Sequence, residues 1–199
     1  MPHLPRRQFI RTTTATGFSL MLPGALTQRV TLPSSDTIGI AIVGLRGRGR
    51  SHMQAFLSAD GARVTALCDP DRHVLEKSGK ECAAKGSETA LVADFRDLLE
   101  RDDVDAVSIA TPNHWHALMT VWACQAGMDV YVEKPDGHNI VEGQRMVEAM
   151  RKHKRIVQMG SQHRSTTRLQ TAIQFCREGG IGRCLFAKGW ESTRQGGIG

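Results

Sequence analysis

A chain of 199 residues is long enough for one domain of typical size with a buried core, and for part of another. Its formal charge of +6 and pI of about 9.4 invite a nucleic-acid reading. Position excludes that reading: the first 35 residues hold Arg6, Arg7, Arg11 and Arg29 and no acid, leaving 22 basic against 20 acidic residues elsewhere. The five cysteines are odd in number and form no C-x-x-C pair, which excludes a disulfide framework and a zinc site. Cys68 and Cys124 lie in apolar segments and read as small core residues.

In chain order, the first element is a targeting segment. PRRQFIR at 5–11 sets two adjacent arginines before a phenylalanine, and a mildly apolar run with small residues follows at 12–26. This resembles a twin-arginine export signal, too short and too rich in threonine to anchor in a bilayer. From residue 38 strands and helices alternate. IGIAIV at 38–43 is a short apolar run that suits a strand buried on both faces of a parallel sheet. Helices are expected over 50–59, 71–85, 95–100, from Pro112 to Gly127, 140–153 and 166–178. Strands are expected over 63–68, 89–92, 105–110, 129–132, 155–159 and 184–190. Asp94 suits an N-cap, and Asn139 with Glu142 suits an N-cap and its N3 partner. Repeated βα units with short loops predict an α/β fold with a parallel, doubly wound sheet.

Three clusters carry chemistry. Gly44, Gly47 and Gly49 follow the first strand directly, spaced G-x-x-G-x-G. Glycines let the chain turn tightly and approach a pyrophosphate at the start of the next helix. Taken alone, this spacing equally fits an ordinary Gly-rich turn. Asp69 strengthens it, ending the second strand 20 residues after Gly49. A carboxylate there accepts hydrogen bonds from the adenosine ribose of NAD and repels the 2′-phosphate of NADP. Arg46, Arg48 and Arg72 lie near enough in sequence to reverse that preference, so NADP stays open. The second cluster is Thr111, Pro112, Asn113, His114, Trp115 and His116, in the loop after the fourth strand, where open α/β sheets bind ligands. His114 and His116 are two apart, share no helix face and have no spaced partner, so no metal is expected. The third is Glu133-Lys134-Pro135, after the fifth strand. A lysine there can hydrogen-bond a substrate hydroxyl and favour a developing alkoxide, while Glu133 tunes it or contacts the nicotinamide ribose.

GLRGRG, Asp69, ATPNHWHA and VEKP, in this order and spacing, resemble the N-terminal half of the Gfo/Idh/MocA family, the glucose-fructose oxidoreductase and inositol dehydrogenase type enzymes. VQMGSQHR at 157–164 matches the family's crossover into its second domain, and GRCLFAKGW that domain's first strand. The resemblance implies a signal and linker at 1–35, a Rossmann NAD(P)-binding domain at 36–162 and the truncated start of a second α/β domain at 163–199. It implies a cofactor site of Gly44, Arg46, Gly47, Arg48, Gly49, Asp69, Thr111, Pro112, Asn113, His116, Glu133 and Lys134, with Lys134 the catalytic residue. It also implies NAD(P)-dependent oxidation or reduction of a sugar or cyclitol by the full-length protein, and export to the periplasm with the cofactor bound. The family's second domain supplies the substrate pocket, usually a catalytic histidine, and the sheet through which its members associate. Homo-oligomers are therefore expected only where that domain is present, and the 199-residue chain alone is expected not to turn over. Asp136-Gly137 after EKP departs from the family's usual residues, and neither His163 nor Arg164 replaces the missing histidine. Two alternatives stand beside this reading: an NAD-dependent glycoside hydrolase of the same fold, whose members often vary EKP, and a non-catalytic dinucleotide-binding remnant.

Overall fold

The computed structural model describes residues 37–162 and 164–190. The expected export signal and His163 lie outside them. Six strands alternate with helices: β1 (Ile38–Val43), α1 (Gly47–Leu57), β2 (Ala62–Cys68), α2 (Arg72–Ala84), β3 (Ala90–Val92), α3 (Phe95–Leu98), β4 (Ala106–Ile109), a 3-10 turn (Asn113–Trp115), α4 (His116–Gln125), β5 (Asp129–Val132), α5 (Ile140–His153), β6 (Val157–Met159) and α6 (Thr167–Arg177).

All strand pairs are parallel, and the sheet order is β3-β2-β1-β4-β5-β6. Alternation along β1 feeds two cores. Ile40 and Ile42 face one side with Met53 of α1 and Leu75 and Cys82 of α2. Ala41 and Val43 face the other with Phe95 and Leu98 of α3, Ala123 and Cys124 of α4, and Met146 and Ala149 of α5. The sheet is therefore covered on both faces, as a near-continuous apolar strand requires. Each fully buried Ile, Leu or Val in it contributes about 1.5–3 kcal/mol. Helix starts follow the side chains that cap them. Asp71 accepts from the backbone N–H of His73 and Val74, and Asp94 from that of Arg96. Asn139 accepts from Glu142 N–H at 3.0 Å, while the Glu142 carboxylate accepts from His138 N–H.

β1, β5 and α5 occupy the residues expected of them. Elsewhere the structure corrects the sequence reading. Helix α1 begins at Gly47, not at Arg50, because Arg46 is extended and the chain has already turned at Gly44. The segment after Pro112 opens as a 3-10 turn, with Trp115 N–H donating to Pro112 O, before α4 starts at His116. β6 starts at Val157, not at Arg155. Lys154 is left-handed and Arg155 N–H donates to Met150 O, so those two residues close α5, while Ile156 N–H donates to the Asp129 side chain. The strand expected over 184–190 is irregular, and Leu185, Phe186 and Trp190 are largely exposed. A strand forms when a neighbour takes its backbone groups, and no described strand pairs with this segment.

Candidate functional site

The chain leaves β1 for β2 and β3 on one side, then crosses back to β4, β5 and β6 on the other. The crevice at the C-terminal ends of β1 and β4 is thus the topological switch point, where open α/β sheets bind ligands. Gly44 stands in it. Its φ is +80°, its N–H donates to Cys68 O, and a Cβ there would lie 2.7 Å from Ala110 O in the loop after β4. A Cβ on Gly49 would lie 1.6 Å from Gly44 O, so α1 packs its first turn directly on the turn that precedes it. Gly47, with φ +43°, has open space where a Cβ would be. Helix α1 has no side-chain cap and no acid in its first turn. Its positive end therefore faces the crevice uncompensated by protein.

On one side of this turn lies a cleft of about 940 Å³. Asp69 is buried at its floor: Oδ2 accepts from Leu45 N–H at 2.9 Å and Oδ1 from Asp71 N–H at 3.0 Å. Each oxygen keeps a second lone pair for a ligand hydroxyl. Asp71 caps α2 with one oxygen and binds the Arg46 guanidinium with the other. The Val74 N–H, then the His73 N–H and the Arg46 guanidinium, hold its carboxyl below the usual carboxylate range. Across the cleft Arg96 pairs with Asp94 and holds that carboxyl at about 2. Trp115, Met119 and Trp122 supply an apolar wall, and burial pushes the Cys68 thiol up to about 12.

On the other side lies a cleft of about 590 Å³, which shares Ala110 and Thr111 with the first. Its centre is Glu133, 5% exposed. Oε1 accepts from Arg48 Nε at 2.9 Å and His52 Nε2 at 3.0 Å; Oε2 accepts from Gln162 Nε2 and Lys134 N–H. Burial works to raise the Glu133 carboxyl, but Arg48, Gln162 and His52 together hold it below the usual range. His52 is itself buried, with Nδ1 2.9 Å from Ser108 Oγ and its ring edge-on to Tyr131. Burial outweighs Glu133 and pushes the imidazole down. Because Glu133 is an acceptor, Nε2 carries the hydrogen and Nδ1 accepts from the serine hydroxyl. His116 ties the two loops of the site together: Nδ1 lies 2.6 Å from Pro135 O and Nε2 2.8 Å from Thr111 O. Lys134 stands exposed at the rim.

Of the twelve residues expected at the cofactor site, eleven line these two clefts, and Gly49 lies beneath the turn. His114 and His116 part company, one exposed against Trp115 and the other buried on two carbonyls. Sequence reasoning missed His52, Ser108, Tyr131 and Gln162. For His52 a signal existed: Gly49, His52, Met53 and Phe56 fall at i, i+3, i+4 and i+7, so a histidine occupies a core stripe. The other three carry none.

This strand order, with a glycine turn at the switch point and a carboxylate ending β2, defines a dinucleotide-binding domain. The model of the oxidoreductase family with an NAD-binding Rossmann fold (GFO_IDH_MocA) matches residues 38–161, and the chain belongs to that family. Among curated proteins it is 36% identical over 113 residues to a glycosyl hydrolase family 109 protein of Shewanella pealeana, covering 52% of this chain and 24% of that protein. Among solved structures it is similar to myo-inositol 2-dehydrogenase from Lactobacillus plantarum, with TM-score 0.66 and 29% identity over 74% of this chain and 43% of that one. It is also similar to scyllo-inositol dehydrogenase from Lactobacillus casei with bound NAD(H) and scyllo-inositol, with TM-score 0.65 and 30% identity over 73% of this chain and 42% of that one. The chain thus spans less than half the length of these relatives. The domain binds NAD, and its own residues fit that cofactor: an uncapped helix start for the pyrophosphate, open space over Gly47 and a carboxylate with free lone pairs beside it.

Proposed function

We propose that the full-length protein is an exported NAD-dependent oxidoreductase acting on a sugar or cyclitol hydroxyl. In this reading the turn from Gly44 to Gly49 holds the pyrophosphate, Asp69 the adenosine ribose, and the smaller cleft the nicotinamide and the reacting carbon. NAD, when bound, supplies the hydride acceptor. The observation that carries the reading is Lys134, at the rim of the smaller cleft beside the cofactor groove. Its ammonium donates a hydrogen bond to the substrate hydroxyl, and its charge favours the alkoxide that develops as the C–H bond breaks. His116 fixes the position of the lysine turn through Pro135 O, and Glu133 fixes Arg48 and Gln162 at the cleft wall.

A second reading is favoured by the curated relatives named as family 109 glycosyl hydrolases. In such an enzyme the sugar is oxidised transiently to release the glycosidic bond, and the cofactor ends unchanged. Lys134 within an intact EKP supports the dehydrogenase. The full-length protein with NAD and a panel of sugars and cyclitols should produce NADH steadily at 340 nm. Release of nitrophenol from nitrophenyl glycosides with no net NADH would replace the first reading by the second. Absence of both, with NAD still bound, would leave a binding remnant. In the same reading the first 35 residues direct twin-arginine export. A reporter fused to them should reach the periplasm, and Arg6→Lys with Arg7→Lys should retain it in the cytoplasm.

A further inference from the structure

We propose that Asp71 is a second determinant of NAD over NADP, acting by occupying the Arg46 guanidinium that would otherwise receive a 2′-phosphate. The inference rests on the assignment of the glycine turn and Asp69 to the cofactor. The charges lining the larger cleft are Arg46, Arg96, Asp69, Asp71 and Asp94. Both arginines are taken: Arg46 by Asp71, and Arg96 by Asp94 through Nε and the terminal nitrogen. Asp69 is left with backbone N–H partners and no cation. Among the described residues the cleft is therefore negative by one charge, with no guanidinium fork free in it. A 2′-phosphate needs the opposite, since an arginine binds phosphate best through two parallel N–H bonds.

Asp71 sits where this control is most direct. Its N–H donates to Asp69 Oδ1, so it adjoins the carboxylate that faces the ribose. Arg46, the residue just before α1, follows Leu45, whose N–H donates to Asp69 Oδ2. The two functions of Asp71 use different oxygens: Oδ1 caps α2 through His73 N–H and Val74 N–H, and Oδ2 holds Arg46. An asparagine keeps the capping oxygen and replaces the other by an NH2 group, which repels the guanidinium. Asp71→Asn thus frees Arg46 and removes one negative charge while the helix stays capped. The Arg46–Asp71 pair is largely exposed, so breaking it disturbs the fold little.

The test is a titration of the 199-residue chain with NAD and, separately, with NADP, read by calorimetry. The ratio of the NADP Kd to the NAD Kd should fall roughly five- to tenfold in Asp71→Asn, the scale of one charge a few ångströms from the phosphate in near-aqueous surroundings. Adding Arg46→Ala to that variant should return the ratio to the wild-type value. The gain should also shrink at high salt. Asp71→Ser, another capping residue, repeats the measurement in case the asparagine variant folds poorly. An unchanged ratio in both variants overturns the proposal, as does a gain that survives Arg46→Ala. Wild-type chain that binds neither cofactor would instead overturn the assignment of the turn and Asp69.

Discussion

Removing the Glu133 carboxylate tests whether the buried network under the smaller cleft holds this half of the sheet together. In Glu133→Ala four donors lose their acceptor: Arg48 Nε, His52 Nε2, Gln162 Nε2 and Lys134 N–H. Arg48 is half exposed, so water replaces most of what it loses, about 0–1 kcal/mol. His52 is 8% exposed, and its N–H is stranded at about 1–3 kcal/mol. With a smaller share from Gln162 and Lys134, the loss is about 3 kcal/mol at pH 7.5. For a chain of this size that corresponds to a fall in Tm of roughly 6–12 °C. Glu133→Gln keeps one acceptor oxygen and should lose about half as much. The pH dependence has a fixed sign. Glu133 and His52 are both held below their ordinary values, so each contributes stability that is complete above the unfolded-state pKa and is lost as pH falls through the folded one. Burial makes the fold lose stability below about pH 6.5 as His52 is protonated, in wild type and variant alike, whereas the glutamate contribution that separates the two fades below about pH 4.3. Urea melts of wild type and Glu133→Ala at several pH values measure both effects. A variant within about 0.5 kcal/mol of wild type at pH 7.5 would refute the reasoning. A gap that stays full-sized at pH 3 would do the same.

Other substitutions probe the rest of the site. Gly49→Ala places a Cβ 1.6 Å from Gly44 O, where only backbone can move. It should destabilise by about 1–3 kcal/mol or more and abolish NAD binding in a titration; normal binding would sink the close-packing account. Asp69→Asn should weaken NAD roughly tenfold by removing a charged acceptor, and unchanged affinity would count against its place at the ribose. Lys134→Ala in the full-length enzyme should lower kcat by roughly 10²-fold or more, and a kcat near wild type would free the lysine from the chemistry. Thr120 Oγ1 is fully buried with no hydrogen-bond partner among the described residues. Thr120→Val should therefore raise stability by about 1 kcal/mol, and a lower Tm would point to a missed partner.

Much of this fold was legible because local signals agreed with one another. The apolar run of β1, the glycines after it and the carboxylate after β2 each follow from short-range chemistry, as do the caps at Asp94 and Asn139. The elements misread were those decided elsewhere in the chain. Residues 184–190 open with an apolar run that suits a strand, but such a run does not supply a partner. The start of α1 depended on where the turn ended, and glycines permit several answers. The side-chain pairings were out of reach for a different reason. Arg48 meets Glu133 across 85 residues and Arg46 meets Asp71 across 25, and no local pattern encodes either.

Those pairings decide how charge is distributed along the groove. Arg46, Arg96 and Arg48 each spend their charge on a carboxylate: Asp71, Asp94 and Glu133. Lys134 follows Glu133 directly, yet the glutamate takes only its backbone N–H, while its side-chain oxygens are filled by Arg48, His52 and Gln162. The buried network thus prevents the nearest acid from neutralising the lysine. Among the described residues, Lys134 is the cation lining either cleft that has no ion-pair partner. A group that must stabilise a negative charge present only in the transition state has to keep its own charge unspent until then. In the oxidoreductase reading proposed above, His52, Gln162 and Arg48 serve the chemistry without touching it: by saturating Glu133 they leave Lys134 available.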